Sequence, residues 1–379
     1  MPVVAARYRG GVTTPKASPR LRVITSNLPS IGESILEPDG SPKLGAFQGI
    51  PPRFDYSNLT APFSHNRVKS FLRHKQWMYF FAANDEVIVV AAVADAGPTG
   101  TGFAMVTDRA TGDVLADASR PGGAGPLVSL NDQPTLGHRL HYALPGTLVT
   151  ARGDDLELHL RATFQHIPYI PLVSEPWIEL DIRFATDVHP GLTTVAEIRG
   201  ESLVTATSKN AALPIRGQVT VHGDGHTQEF DLTGGFGGFD YTNGFLPRST
   251  SWNWAFATGA LDDGRTVGIN LVSDFSGLNG HADENALWLQ GVLHSLDPDA
   301  QILFDAADPL KPWTITTSDG AVDLQFQPLA LHYESLNLGL ISSRFVQPTG
   351  HFTGTVRVDG EEIAINRLPG VVEDQDVLW

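Results

Sequence analysis

The sequence contains no cysteine, which excludes a disulfide framework, thiolate catalysis, iron–sulfur clusters and cysteine-ligated zinc. It is short of positive charge: 26 Lys and Arg stand against 42 Asp and Glu, a formal net charge of −16. Phosphate backbones and anionic membranes are held by clustered Lys and Arg, so neither nucleic acid nor such a membrane is an expected partner. No apolar run approaches the roughly 18–20 residues that span a bilayer as a helix, so integral membrane association is not expected. Also missing are a Gly-x-Ser-x-Gly elbow, a Walker loop, a properly placed Gly-x-Gly-x-x-Gly and His-Glu-x-x-His. His138 with His141, and His222 with His226, have spacings that a metal could use, but no third ligand accompanies either pair. No metal, nucleotide or flavin is called for, and no cofactor is expected.

What is present is a folding composition, 41% hydrophobic and 18% charged across 379 residues. The expectation is a cytoplasmic globular protein. Residues 1–32 are an outlier, with five basic residues (Arg7, Arg9, Lys16, Arg20, Arg22) and no acidic one. That composition fits a transit segment as well as a poorly ordered arm lying across an acidic body.

Glycine (38) and proline (26) are abundant, and the apolar runs have strand length rather than helix length. Trp77–Phe81 and Val87–Ala91 flank the turn-like Asn84-Asp85-Glu86, and Leu156, Leu158 and Leu160 alternate onto one face. Similar short runs joined by Gly- and Asp-rich turns continue to residue 366. A meander of this kind closes most simply into up-and-down barrels, although packed sandwiches give nearly the same pattern. The expected fold is all-β, two antiparallel β-barrels in tandem: an irregular arm over 1–52, a first barrel over 53–189, a connector over 190–216 and a second barrel over 217–379.

The chemistry concentrates between Gly234 and Glu284. A hairpin turning at Asp262-Asp263 puts Trp252, Trp254, Phe256, Val267, Ile269 and Leu271 on one face. Asn253 and Asn270 then share the other, with small neighbours, and either face could line a cavity. Asp240, Tyr241 and Asn243 precede the hairpin; Asp274, His281, Asp283, Glu284 and Asn285 follow it. A carboxyl group in an apolar pocket has its pKa raised and can protonate an alkene or enol near neutral pH. Asp240, after the glycine-rich bend, leads as proton donor, and Glu284 is the second carboxyl candidate. Lys209 is a lone lysine in an apolar stretch, able to orient an anionic or carbonyl group. His65, Asn66 and the basic stretch Lys69–Lys75 read as surface.

The ordered motifs Lys209…Leu213-Pro214-Ile215-Arg216-Gly217, Gly238-Phe239-Asp240-Tyr241-Thr242-Asn243-Gly244, Thr250-Ser251-Trp252-Asn253-Trp254-Ala255, Val267-Gly268-Ile269-Asn270-Leu271, Glu284-Asn285-Ala286-Leu287-Trp288 and Gly370-Val371-Val372-Glu373-Asp374 resemble the DUF2804 family. The resemblance runs from about His65 to the end. More distantly, Asp240–Gly244 and Trp252-Asn253-Trp254 are similar to the tandem-lipocalin group that contains carotenoid 1,2-hydratase and AttH-type proteins. That likeness implies lipocalin-like barrels, with Asp240 standing where the group places its Asp. Tyr241 stands where the hydratases tend to have His, a departure that separates fold from reaction.

Residues and resemblance together give the functional expectation: cofactor-independent hydration, elimination, isomerisation or cyclisation of a hydrophobic, isoprenoid- or polyketide-like molecule in a cavity at or between the barrels. Asp240 and Glu284 would be catalytic. Tyr241, Asn243, Trp252, Asn253, Trp254, Asn270, Asn285 and Lys209 would contact substrate. A non-catalytic lipid or pigment carrier needs the same cavity without a poised acid.

Overall fold

Period-two alternation of burial is plainest in strands such as Glu157–Phe164 and Trp177–Ala185. In Trp177–Ala185, Ile178, Leu180, Ile182 and Phe184 are buried while their neighbours are half-buried. The computed structural model describes residues 28–379 except 124, 166–176, 199, 224, 276–283, 297–298, 338 and 340. Two sheets account for the described strands, and their ladders are antiparallel. The 14-stranded sheet runs along the path Val114–Pro121, Gly100–Asp108, Val87–Asp95, His74–Ala83, Phe236–Phe245, Leu203–Gly223, Trp177–Ala185 and on to Val128–Leu130. The 9-stranded sheet centres on Ser249–Ala260, Glu361–Leu378 and Ser342–Val358. Each sheet curls about its own apolar core, so the expected tandem of lipocalin-like antiparallel barrels is present as two curled half-barrels.

A third apolar layer lies where the outer faces of the two sheets meet. It explains the unbroken run Trp77–Phe81, which a one-sided strand would not need. Met78, Phe80 and Ala82 enter the core of the first sheet, and Tyr79, Phe81 and Ala83 enter the layer between the sheets. A strand apolar on both faces is buried on both.

Three expectations about organisation are revised. Residues 190–216, read as a connector, carry the strand Leu192–Ile198 and most of Leu203–Gly223, both in the first sheet. The chain changes sheet between Phe245 and Ser249, not near 190. Ser208, Lys209 and Asn210 broke the apolar pattern there because the strand buries polar groups. The arm over 1–52 is not irregular throughout, since Gly45–Gln48 pairs with Leu192–Ile198; residues 1–27 lie outside the described residues. Among the described residues no helix is long and apolar enough to cross a membrane.

Candidate active site

Three neighbouring strands set one row of side chains against the second sheet. Lys209 is the register partner of Asp240, and Asp240 of Tyr79, so all three project from the same face. Just after Lys209 the ladder slips between Asn210 and Leu213, with Ala212 at φ 57°. The sheets touch at this bulge: the Ala212 amide donates to Thr258 Oγ1 at 2.8 Å. A Cβ added at Gly268 would lie 2.4 Å from the Ala211 methyl, so only glycine lets the second sheet approach the Lys209 strand this closely.

The row is charged. Lys209 Nζ lies 2.5 Å from Asp240 Oδ2, 3.4 Å from Glu284 Oε2 and 5.1 Å from the Trp254 ring centroid. The three ionisable side chains are at most 10% exposed. Burial alone would pull the Lys209 ammonium down, but Asp240 and Glu284 outweigh it and hold the group above its ordinary range. Burial raises the Glu284 carboxyl, with Asp240 adding to the shift and Lys209 opposing it. Asp240 Oδ1 also accepts from Thr242 Oγ1 at 3.3 Å.

A further carboxyl group faces this cluster from the second sheet. Glu373, on Glu361–Leu378, accepts from Trp252 Nε1 at 2.7 Å and from Gln347 Nε2 at 2.8 Å. Gln347 Oε1 in turn accepts from the Tyr79 hydroxyl at 3.1 Å. Burial pushes Glu373 up to about 7, against its two hydrogen bonds; Asp240 adds to the rise and Lys209 opposes it. A carboxyl group at that value exchanges a proton near neutrality.

Lys209, Asp240, Glu284 and Glu373 all line a cavity of about 710 Å³ between the sheets, within the range of small-molecule sites. Its walls are mainly apolar. Trp77 lies nearly parallel to Trp252 (centroids 5.6 Å apart, 11°), and Trp252 to Phe275 (5.7 Å, 14°), so three rings form one stacked wall.

The family model for a domain of unknown function, DUF2804, matches residues 28–379. The chain belongs to the DUF2804 family. The match starts well before His65, where the resemblance read from the sequence begins. No curated protein matches this DUF2804 member in sequence. Solved structures similar to it include CghA with Sch210972, at 12% identity and a TM-score of 0.50, covering 93% of this chain and 98% of that one. Kievitone hydratase from Nectria haematococca is similar at 13% identity and a TM-score of 0.45, covering 91% and 98%. At such identities the CghA likeness speaks for the shared fold.

Of the residues expected from the sequence, the DUF2804 cavity gathers Lys209, Asp240, Glu284, Trp252 and Trp254. The aromatic face of the hairpin is the one that lines it. The hairpin itself is longer by a residue than a turn at Asp262-Asp263 implies: Ala260 pairs with Thr266 around a five-residue loop, and Trp254 pairs with Val272. That shift moves Asn270 onto the face of Trp254 and sends Ile269 and Leu271 into the core of the second sheet. Asn270 lies behind the wall, where its Oδ1 accepts from Trp254 Nε1 at 2.7 Å and its Nδ2 donates to the Glu284 carbonyl at 2.7 Å. It positions two cavity residues without lining the cavity.

Four other expected contacts lie elsewhere. Asn253 bonds Asp374 Oδ1 at 3.1 Å, and Asn285 Oδ1 accepts from the Val272 amide at 2.8 Å. Tyr241 and Asn243 alternate to the opposite side of their strand from Asp240 and join the first core. His281 and Asp283 lie outside the described residues. The sequence reading missed Tyr79, Gln347 and Glu373 as site residues. Glu373 and Gln375 interrupt the apolar alternation with Val371 and Val377, a signal visible only once that strand's inward face is known.

Proposed function

We propose that this protein is a cofactor-independent enzyme that converts a hydrophobic small molecule by acid–base chemistry in the cavity between its sheets. Glu373 carries the reading: a carboxyl group raised to about 7, held by Trp252 and Gln347 at an apolar wall. Such a group can deliver a proton to an alkene or enol and recover it afterwards. Asp240, expected to be the donor, is tied to the Lys209 ammonium and fits better as the base or as the partner of developing positive charge. Glu284 completes the ion cluster, and Trp252 and Trp254 offer ring faces to a cationic intermediate. Acid-assisted hydration, elimination, isomerisation and cyclisation can each use this pairing of acid and base. CghA, of similar fold, was solved with Sch210972, which is consistent with ligand binding on this architecture.

The test begins with native mass spectrometry and organic extraction of whatever small molecule copurifies. That compound is then incubated with the protein and with Glu373→Gln and Asp240→Asn variants. Turnover by the native chain that falls at least a hundredfold in the first variant is expected. Full turnover by Glu373→Gln sinks the assignment, and binding without turnover by any form favours a carrier.

A further inference from the structure

Another buried cation lines the cavity and takes no part in the ion cluster. Lys75, expected at the surface, is 2% exposed at the start of His74–Ala83. Its Nζ donates to the Leu72 carbonyl at 2.9 Å and the Ala96 carbonyl at 2.7 Å, and stands 5.3 Å from the Trp379 ring centroid. Two of its three N–H bonds are thereby engaged. Among the described residues no carboxylate forms an ion pair with it. Asp95 acts on it only through space, and Arg73 opposes that influence. Burial draws Lys75 down to about 8, the sign of an ammonium short of a counter-charge. A buried cation without an anion is costly, and the cost is relieved if the cavity's occupant supplies one. Arg73 and Arg248 line the cavity as well, but Arg73 is paired with Glu201 at 3.6 Å, so the case for an anion stands on Lys75 alone.

We infer that the cavity's ligand carries an anionic oxygen head group of the carboxylate type, which sits on the Lys75 ammonium while its apolar body lies along the Trp77–Trp252 wall. The inference rests on the reading of the cavity as a small-molecule site and adds the polarity of its occupant. A charge-assisted hydrogen bond in a dry site would favour the anion over a neutral analogue of equal length.

The alternative role for Lys75 is purely structural, tying the Leu72 carbonyl at the end of the short helix Arg67–Arg73 to the Ala96 carbonyl. Titrations of tryptophan fluorescence with decanoate and with decan-1-ol separate the two. The native chain is expected to bind decanoate about tenfold more tightly than the alcohol. Lys75→Gln should abolish that preference while leaving the alcohol's affinity unchanged, and Lys75→Arg should retain it. A structural tie alone would instead lower the melting temperature of Lys75→Gln and weaken both ligands alike. Equal binding of acid and alcohol by the native chain, which needs no variant to fold, overturns the anionic head group but leaves the cavity reading standing. Failure of both ligands to bind the native chain overturns the cavity reading and this inference with it.

Discussion

The strand Phe236–Phe245 has two faces that are equally buried and chemically opposite. On one, Tyr241 donates its hydroxyl proton to the Asn131 carbonyl at 2.7 Å and accepts from Gln76 at 3.1 Å and Asn243 at 3.2 Å. Asn243 closes the set with His74 at 2.7 Å, and the Tyr241 ring packs into the first core. On the other face, Asp240 meets an ammonium and open volume. Tyr241 is 0% and Asp240 7% exposed, so burial does not distinguish structure from site. The difference is that one network closes on itself, whereas the other borders a space that a ligand can fill.

If the open face is held together by its charges, removing the cation should have the largest effect on stability. Lys209→Met leaves Asp240 and Glu284 buried near one another without compensation, and a loss of about 3–5 kcal/mol is expected in urea denaturation. Adding Asp240→Asn and Glu284→Gln to that variant should restore most of it, because the penalty lies in uncompensated charge rather than lost packing. A loss below about 1 kcal/mol for Lys209→Met would mean that water already solvates the pair, and the contrast between the faces would fail.

Glu373 sharpens the comparison through pH. Its folded value of about 7 lies above the ordinary 4.5, so the folded state binds more protons than the unfolded state between these values. Stability from this group is therefore fully present below about pH 4.5 and is lost as pH rises through about 7. Glu373→Gln should flatten that decline, gaining on the order of 3 kcal/mol relative to the native chain between pH 4.5 and 8. Denaturation at several pH values measures it. An unchanged slope would place the proton elsewhere.

How much of this was legible beforehand depends on the range of the physics involved. Alternation and turn residues are local, so the all-β fold could be read from runs such as Val87–Ala91 and Leu156–Leu160. Asp240, Glu284 and Lys209 stood out as polar groups in apolar company. Their meeting at 2.5 and 3.4 Å needed the strand register across residues separated by 31 and 75 positions, which no local signal carries. The hairpin faces failed over a single residue of loop length, enough to exchange every inward side chain on the second strand. Lys75 was read as surface because a basic stretch usually is one, and its burial depends on carbonyls supplied by a helix end and a distant loop.

A second charged cluster bridges the same two sheets and contains a histidine where the site has a lysine. His332 on Val322–Asn337 bonds Asp117 on Val114–Pro121 at 2.7 Å and Glu334 at 3.3 Å, and stacks on Phe103 with centroids 4.3 Å apart. Burial would lower His332, but its two carboxylate partners outweigh it and raise it to about 9. Its contribution is present below about pH 6.5 and lost as pH rises through about 9. His332→Gln should cost on the order of 3 kcal/mol at pH 6 and little above pH 10. A loss independent of pH would assign His332 to packing on Phe103 alone.

The smallest effect is expected on the closed face, and it bears most directly on the comparison. Tyr241→Phe removes one hydroxyl from a network in which the Gln76 and Asn243 amides can turn toward other partners. A stability loss of about 1 kcal/mol is therefore expected, near the net value of one buried hydrogen bond. Turnover of an identified substrate should be unchanged, because the ring points into the first core, away from Asp240. Asp240→Asn, one residue away and on the other face, should abolish turnover. A Tyr241→Phe variant that folds but loses activity would show that the network reaches through the strand to the cavity, making the closed face part of the site.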